Sequence, residues 1–145
     1  MTRIDFYVLA DGARDNRYTL ACRLTDKIFR EGHRVYLYTE SEQDARHLDR
    51  LLWTFRDQSF VPHGLAGQTD PELTRILIGW NAPPEGEEDV LINLSPEVPG
   101  FFSRFSRVAE PVDNEPAVRQ AGRQRFRFYR ARGYPLHSHS IAGRG

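Results

Sequence analysis

Cysteine is nearly absent. Cys22 stands alone, so an internal disulfide, a cysteine-based zinc cluster and a CxxC redox pair are all excluded. No apolar run approaches the roughly 18 residues of a membrane helix, and Met1-Thr2-Arg3-Ile4-Asp5 lacks the basic and apolar regions of a signal peptide. A soluble, cytoplasmic protein is expected. Net charge is missing too. The 20 Lys and Arg balance the 20 Asp and Glu, so no global field draws the chain to DNA or anionic lipid, and any nucleic-acid role must be local or indirect. Among the basic residues only Lys27 is a lysine, and the rest are arginine. Neither a G-x-G-x-x-G fingerprint nor a Gly-Lys-Ser/Thr phosphate loop occurs, and there is no Gly-x-Ser-x-Gly elbow.

What is present is globular. With 39% hydrophobic and 28% charged residues over 145 positions, the chain suits one domain with one ordinary core. Residues 4–10, aromatic and β-branched with one early charge, predict a strand buried on both faces. Leu20, Leu24 and Ile28 recur at helical spacing within 15–30, and Gly32 follows as a stop. Val35-Tyr36-Leu37-Tyr38 reads as a second strand. Thr39-Glu40-Ser41-Glu42 then supplies a cap and an acidic first turn for a helix reaching about Phe55. Residues 58–70 form an irregular, unusually apolar loop. Continuous apolar strands at 76–80 and 90–94 flank an acidic turn in which Glu87 and Glu88 read as solvated. One or two helical turns at 99–105, an edge strand at 107–111 and a final helix at 116–132, stopped by Gly133, complete the domain. Alternation of strand and helix predicts a Rossmann-like α/β domain over 1–133, with a mostly parallel sheet, helices on both faces and no nucleotide motif. Residues 134–145, rich in Gly, Ser and His, are expected to fray as a flexible tail.

Such sheets bind ligands beyond the carboxyl ends of their strands. Here the first strand-to-helix loop, Ala10-Asp11-Gly12-Ala13-Arg14-Asp15-Asn16-Arg17, holds one glycine and two aspartates that repel phosphate, which disfavours a nucleotide enzyme. His33, His47, His63, His137 and His139 show no metal-ligand spacing, and Cys22 lies mid-helix among Leu20 and Leu24 as a core residue. No catalytic residue, metal or cofactor is expected.

Two features exceed what folding alone requires. Trp53, at the end of the second helix, is followed by Phe60, Val61, Pro62 and His63 in the apolar loop, and large apolar side chains on an irregular segment suit a protein interface. An Ω-loop that folds its Phe inward is the alternative. In the last helix, Ala117, Ala121, Phe128 and Ala131 share a face small enough to lie on the sheet, while Arg119, Arg123, Arg127 and Arg130 cluster nearly opposite, at about 100° per residue. Phe126 borders that stripe. An apolar ring beside cationic forks suits an acidic peptide, or a carboxylate attached to an apolar group, and a merely solvated basic face is the alternative. Direct stacking of single-stranded DNA on Arg125-Phe126-Arg127-Phe128-Tyr129 is a second reading, which the zero net charge opposes.

Four segments stand out together: Phe6-Tyr7-Val8-Leu9; Arg46-His47-Leu48-Asp49-Arg50-Leu51-Leu52-Trp53 running into Ser59-Phe60-Val61-Pro62-His63-Gly64-Leu65-Ala66-Gly67; Asp89-Val90-Leu91-Ile92-Asn93-Leu94; and the final segment from Arg123 to Tyr134. On these the sequence shows a resemblance, over essentially its whole length, to the chi subunit of the bacterial DNA polymerase III clamp-loader complex. It implies an accessory role without catalysis, pairing with the small psi subunit and gripping the acidic C-terminal tail of single-stranded DNA-binding protein. On the family pattern Trp53 and Phe60, with Val61 and Pro62, match the psi-facing surface, whereas Arg119, Arg123, Phe126 and Arg127, with Arg130, match the tail-binding surface. There are departures. Arg119 and Arg127 stand where some relatives have Lys, Phe126 stands where a Tyr is found, and the acidic stretch 85–89 replaces a basic one, which counts against direct DNA contact there.

Overall fold

The structure, a computed structural model, describes residues 1–55 and 62–143. Its strands are β1 (Arg3–Leu9), β2 (Val35–Tyr38), β3 (Gly64–Leu65), β4 (Ile76–Gly79), β5 (Val90–Asn93), β6 (Arg107–Val112) and β7 (Leu136–Ile141); its helices are α1 (Arg17–Arg30), α2 (Glu42–Thr54) and α3 (Pro116–Ala131), with a 3-10 turn at Phe102–Arg104. The strands form one sheet in the order β3-β4-β2-β5-β6-β1-β7, every pair parallel.

Side-chain alternation along the strands divides the core in two. Tyr7, Leu9, Val35, Leu37, Ile76, Ile78, Val90 and Ile92 meet Leu20, Leu24 and Ile28 of α1 and Leu48 and Leu52 of α2 on one face. Ile4, Phe6, Tyr36, Leu77, Leu91, Val108 and Val112 meet Phe102, Phe105 and Tyr129 on the other. Chain direction explains the division. The α1 crossover moves from β1 towards β2, whereas α3 moves the opposite way, from β6 past β1 to β7, and right-handed crossovers running in opposite directions lie on opposite faces.

Three expectations need correction. The strand at 107–111 is no edge: β6 lies between β5 and β1. Its Pro111 is tolerated because pairing with β5 ends at Ala109, so no ladder needs an N–H from residue 111 on that side. The supposed tail holds β7, paired with β1 from Ile4↔Leu136 to Leu9↔Ile141. Its polar composition misled because an edge strand buries little, and its side chains alternate between partly buried and exposed over much of its length. Glu87 is not solvated but 2% exposed, bonded to the Arg34 guanidinium at 2.8 Å.

One charge fastens β7. Asp5, fully buried, accepts hydrogen bonds from Arg3 (3.0 and 3.2 Å) and Arg107 (3.0 Å), lies 3.0 Å from Nε2 of His139, and sits beside Tyr7, on which the His139 ring stacks. Burial pushes its carboxyl up, but hydrogen bonds from Arg3 and His139 and the charge of Arg107 outweigh that and hold it below its ordinary value. A depressed carboxyl stabilises the fold above its unfolded pKa of about 3.9, and the contribution is lost as pH falls through the lower folded value. Asp5→Asn should therefore cost on the order of 2 kcal/mol at neutral pH. It should also flatten the acid limb of a Tm-against-pH curve below about pH 4, and a limb as steep as wild type would contradict this origin.

Candidate functional site on the last helix

Helix α3 starts with Pro116 at its first position and ends at Gly133, whose φ of 74° closes the helix as only glycine does without strain. Its inward face is Gly122, Arg125 and Tyr129, flanked by Val118. The expected face differs: Ala117 and Ala131 are exposed and Ala121 only partly buried. Gly122 matters because a Cβ there would lie 3.2 Å from Val112 Cγ2, so its absence lets α3 settle on β6. The phase is set by charge. Glu110 of β6 is completely buried and accepts from Arg125 Nε (3.0 Å), Tyr129 OH (2.8 Å) and Asn93 Nδ2 (3.2 Å). Arg125 also donates to the Pro96 carbonyl, and Asn93 Oδ1 accepts from the Ser95 hydroxyl at 2.6 Å. Burial raises the Glu110 carboxyl, opposed by Arg125, Tyr129 and Asn93, and raises the Tyr129 phenol strongly.

Beside this network lies a cavity of about 200 Å³ between α3 and the β1–β7 side of the sheet. Phe6, Val8, Val112 and Gly122 form its floor, Phe126 a wall, and Arg119, Arg123 and Ser138 its polar rim. Phe126 is fixed edge-on against Phe6, with ring centroids 5.3 Å apart. The structure thus brings together Arg119, Arg123 and Phe126 of the sequence-derived set. Arg127 and Arg130 are exposed farther along the helix, outside the lining, with the Arg130 guanidinium 5.9 Å from the Phe126 ring. The side chains of Arg123 and Arg127 have no hydrogen-bond or ion-pair partner among the described residues. Arg119 differs. It donates to the Asp113 and Leu9 carbonyls (3.2 Å each) and to Asn114, and pairs with Asp11 at 2.9 Å. The floor went unread from the sequence because Phe6 and Val8 carry only the signal of a buried strand, and Ser138 was assigned to a tail.

On α2, Leu48 and Leu52 point into the core, which turns the next residue, Trp53, outward to 52% exposure. Its ring centroid lies 4.4 Å from that of His63, which is buried with Nε2 3.0 Å from the Asp49 carbonyl. Pro62 is exposed, while Phe60 and Val61 lie outside the described residues.

The β1–α1 loop, where a phosphate would bind, is already occupied by protein. Asp113 Oδ2 accepts from the Arg17 amide at 2.9 Å, and Asn16 Oδ1 accepts from those of Tyr18 and Thr19 at 2.9 and 3.0 Å. With the Asn16 amide bonded to the Thr19 hydroxyl, none of the first backbone N–H groups of α1 remains for an anion. Burial pushes the Cys22 thiol up to about 12, so little thiolate forms at neutral pH. Among the described residues no cluster of three or more His, Cys, Asp or Glu could hold a metal, and no helix is long and apolar enough to cross a membrane.

These features define a parallel α/β protein whose first helix has its leading N–H groups capped by the protein's own side chains and whose last helix carries an arginine-rimmed apolar pocket. The chain belongs to the DNA polymerase III chi subunit family: the family model described as "DNA polymerase III chi subunit, HolC" matches residues 1–137. It is similar to the DNA polymerase III subunit chi of Pseudomonas aeruginosa, at 48% identity over 97% of this chain and 98% of the relative. That of Haemophilus influenzae is 31% identical over 94% and 95% of the two chains. That of Escherichia coli strain K12 is 32% identical over 82% of each.

Proposed function

We propose that this chain is a non-catalytic, cytoplasmic adaptor of the replicative polymerase's clamp loader, which pairs with the psi subunit and binds the acidic C-terminal tail of single-stranded DNA-binding protein. The observation that carries the tail-binding reading is the pocket beside α3. Its apolar floor suits a terminal aromatic side chain, while Arg123 on its rim and Arg127 beyond it have no carboxylate partner among the described residues. Family membership supports the same reading. Titrating the protein with the last ten residues of single-stranded DNA-binding protein, and in parallel with oligo-dT, tests it. Peptide binding that weakens steadily as salt shortens the Debye length below about 8 Å is the expected result. Affinity for oligo-dT alone would instead favour direct DNA binding.

Trp53 supports the psi reading, since a half-exposed tryptophan is the kind of anchor that dominates interface energies. Trp53→Ala should weaken psi binding by on the order of 2 kcal/mol while Tm moves little, measured by calorimetric titration and thermal melts. A large loss of Tm with unchanged psi affinity would assign Trp53 to the fold instead.

A further inference from the structure

The rim of the α3 pocket is not equally open. Arg119 is the rim residue with an internal carboxylate on it, the Asp11 side chain, which reaches over from the β1–α1 turn and is itself 90% exposed. That aspartate is spare to the fold: its carboxylate makes no other hydrogen bond or ion pair among the described residues. Arg119, in contrast, is anchored without it, by the Leu9 and Asp113 carbonyls and the Asn114 side chain. Taking Asp11 away therefore leaves the guanidinium held where it is, on a residue that lines the cavity. A carboxylate arriving at Arg119 must displace Asp11, or share one cation with it at the cost of like-charge repulsion.

We propose that Asp11 is a built-in competitor for the acidic peptide, occupying Arg119 in the free protein and displaced when a peptide carboxylate takes its place. This rests on the tail-binding reading above. It assigns unequal parts to the rim: Arg123 captures the peptide first, and Arg119 closes on it only after Asp11 leaves. The ion pair is solvent-exposed, so it holds weakly enough to be displaced and the effect on affinity is modest. Competition of this kind also makes recognition selective. A ligand with one carboxylate is served by Arg123 alone, whereas one with a second carboxylate placed at Arg119 recovers the cost of displacement.

The test is a fluorescence-anisotropy titration at low salt with a labelled acidic decapeptide ending in Phe with a free carboxylate, using wild type, Asp11→Asn, Arg119→Gln, the double variant and Glu115→Gln. Glu115 is an exposed acid paired with Arg17 rather than Arg119, and so controls for net charge. Asp11→Asn should tighten binding by about 2- to 5-fold, the range of an exposed ion pair. The gain should vanish in the Arg119→Gln background and be absent in Glu115→Gln. Wild type that binds the peptide with unchanged affinity in Asp11→Asn overturns the competitor, as does an equal gain with and without Arg119, which would be a field effect. Wild type that fails to bind the peptide overturns the tail-binding reading itself, and the competitor with it.

Discussion

Arg123→Ala is expected to weaken binding of an acidic peptide with a C-terminal aromatic residue by about 10- to 150-fold, the equivalent of roughly 1.5–3 kcal/mol for hydrogen bonds to a charged group. The effect should be this large because no internal carboxylate competes for Arg123 among the described residues, so its whole capacity is available to a ligand. The fold should not notice the change: residue 123 is exposed, and thermal melts of the variant should overlay those of wild type. Arg123→Lys should recover part of the affinity, since it restores the charge but not the planar two-pronged donor. Equal peptide affinity for wild type and Arg123→Ala would remove the arginine rim from the binding account.

Two residues along the same helix, the opposite outcome is expected. Arg125→Ala should cost about 3–5 kcal/mol of stability, because it leaves the wholly buried Glu110 without its cation. For a chain of this size that corresponds to a fall in Tm of about 10–16 °C. Combining Arg125→Met with Glu110→Gln should recover most of the loss, since both charges go together and an amide remains for Tyr129 and Asn93. A single variant that melts within about 2 °C of wild type would show that Glu110 is neutral in the fold or finds another partner. The contrast between positions 123 and 125 separates binding from folding on one helix.

Sequence periodicity made most of the architecture legible, for a physical reason: strands buried on both faces, such as Ile76-Leu77-Ile78 and Val90-Leu91-Ile92, need unbroken apolar runs, and runs of that kind specify a parallel sheet between helix layers. The error on α3 arose where charge went inside. Ranking faces of α3 by apolarity put Ala117 and Ala131 against the sheet, whereas Arg125 occupies that position because Glu110 waits beneath it. The available signal was a glutamate among the otherwise apolar positions 108–112 of β6, matched by an arginine in a helix bound for the same face. Four arginines on one stripe were legible as a group. That Arg119 is held by Leu9, Asp113, Asn114 and Asp11 depends on two strand ends meeting in space, which no spacing within the helix encodes. β7 was missed because six residues of Leu-His-Ser-His-Ser-Ile need only one neighbour and little burial to act as a strand.

The position of β1 between β6 and β7 bears on how the molecule is assembled during synthesis. β1 is translated before the other described strands, yet the partners that complete its hydrogen-bond ladders, from Arg107 and from Leu136 onwards, are translated last. Until they leave the ribosome, the apolar run from Phe6 to Leu9 has neither edge covered, and such edges recruit other chains. Folding should therefore be late and cooperative rather than progressive, and slow for a domain of this size, because its decisive pairings join opposite ends of the chain.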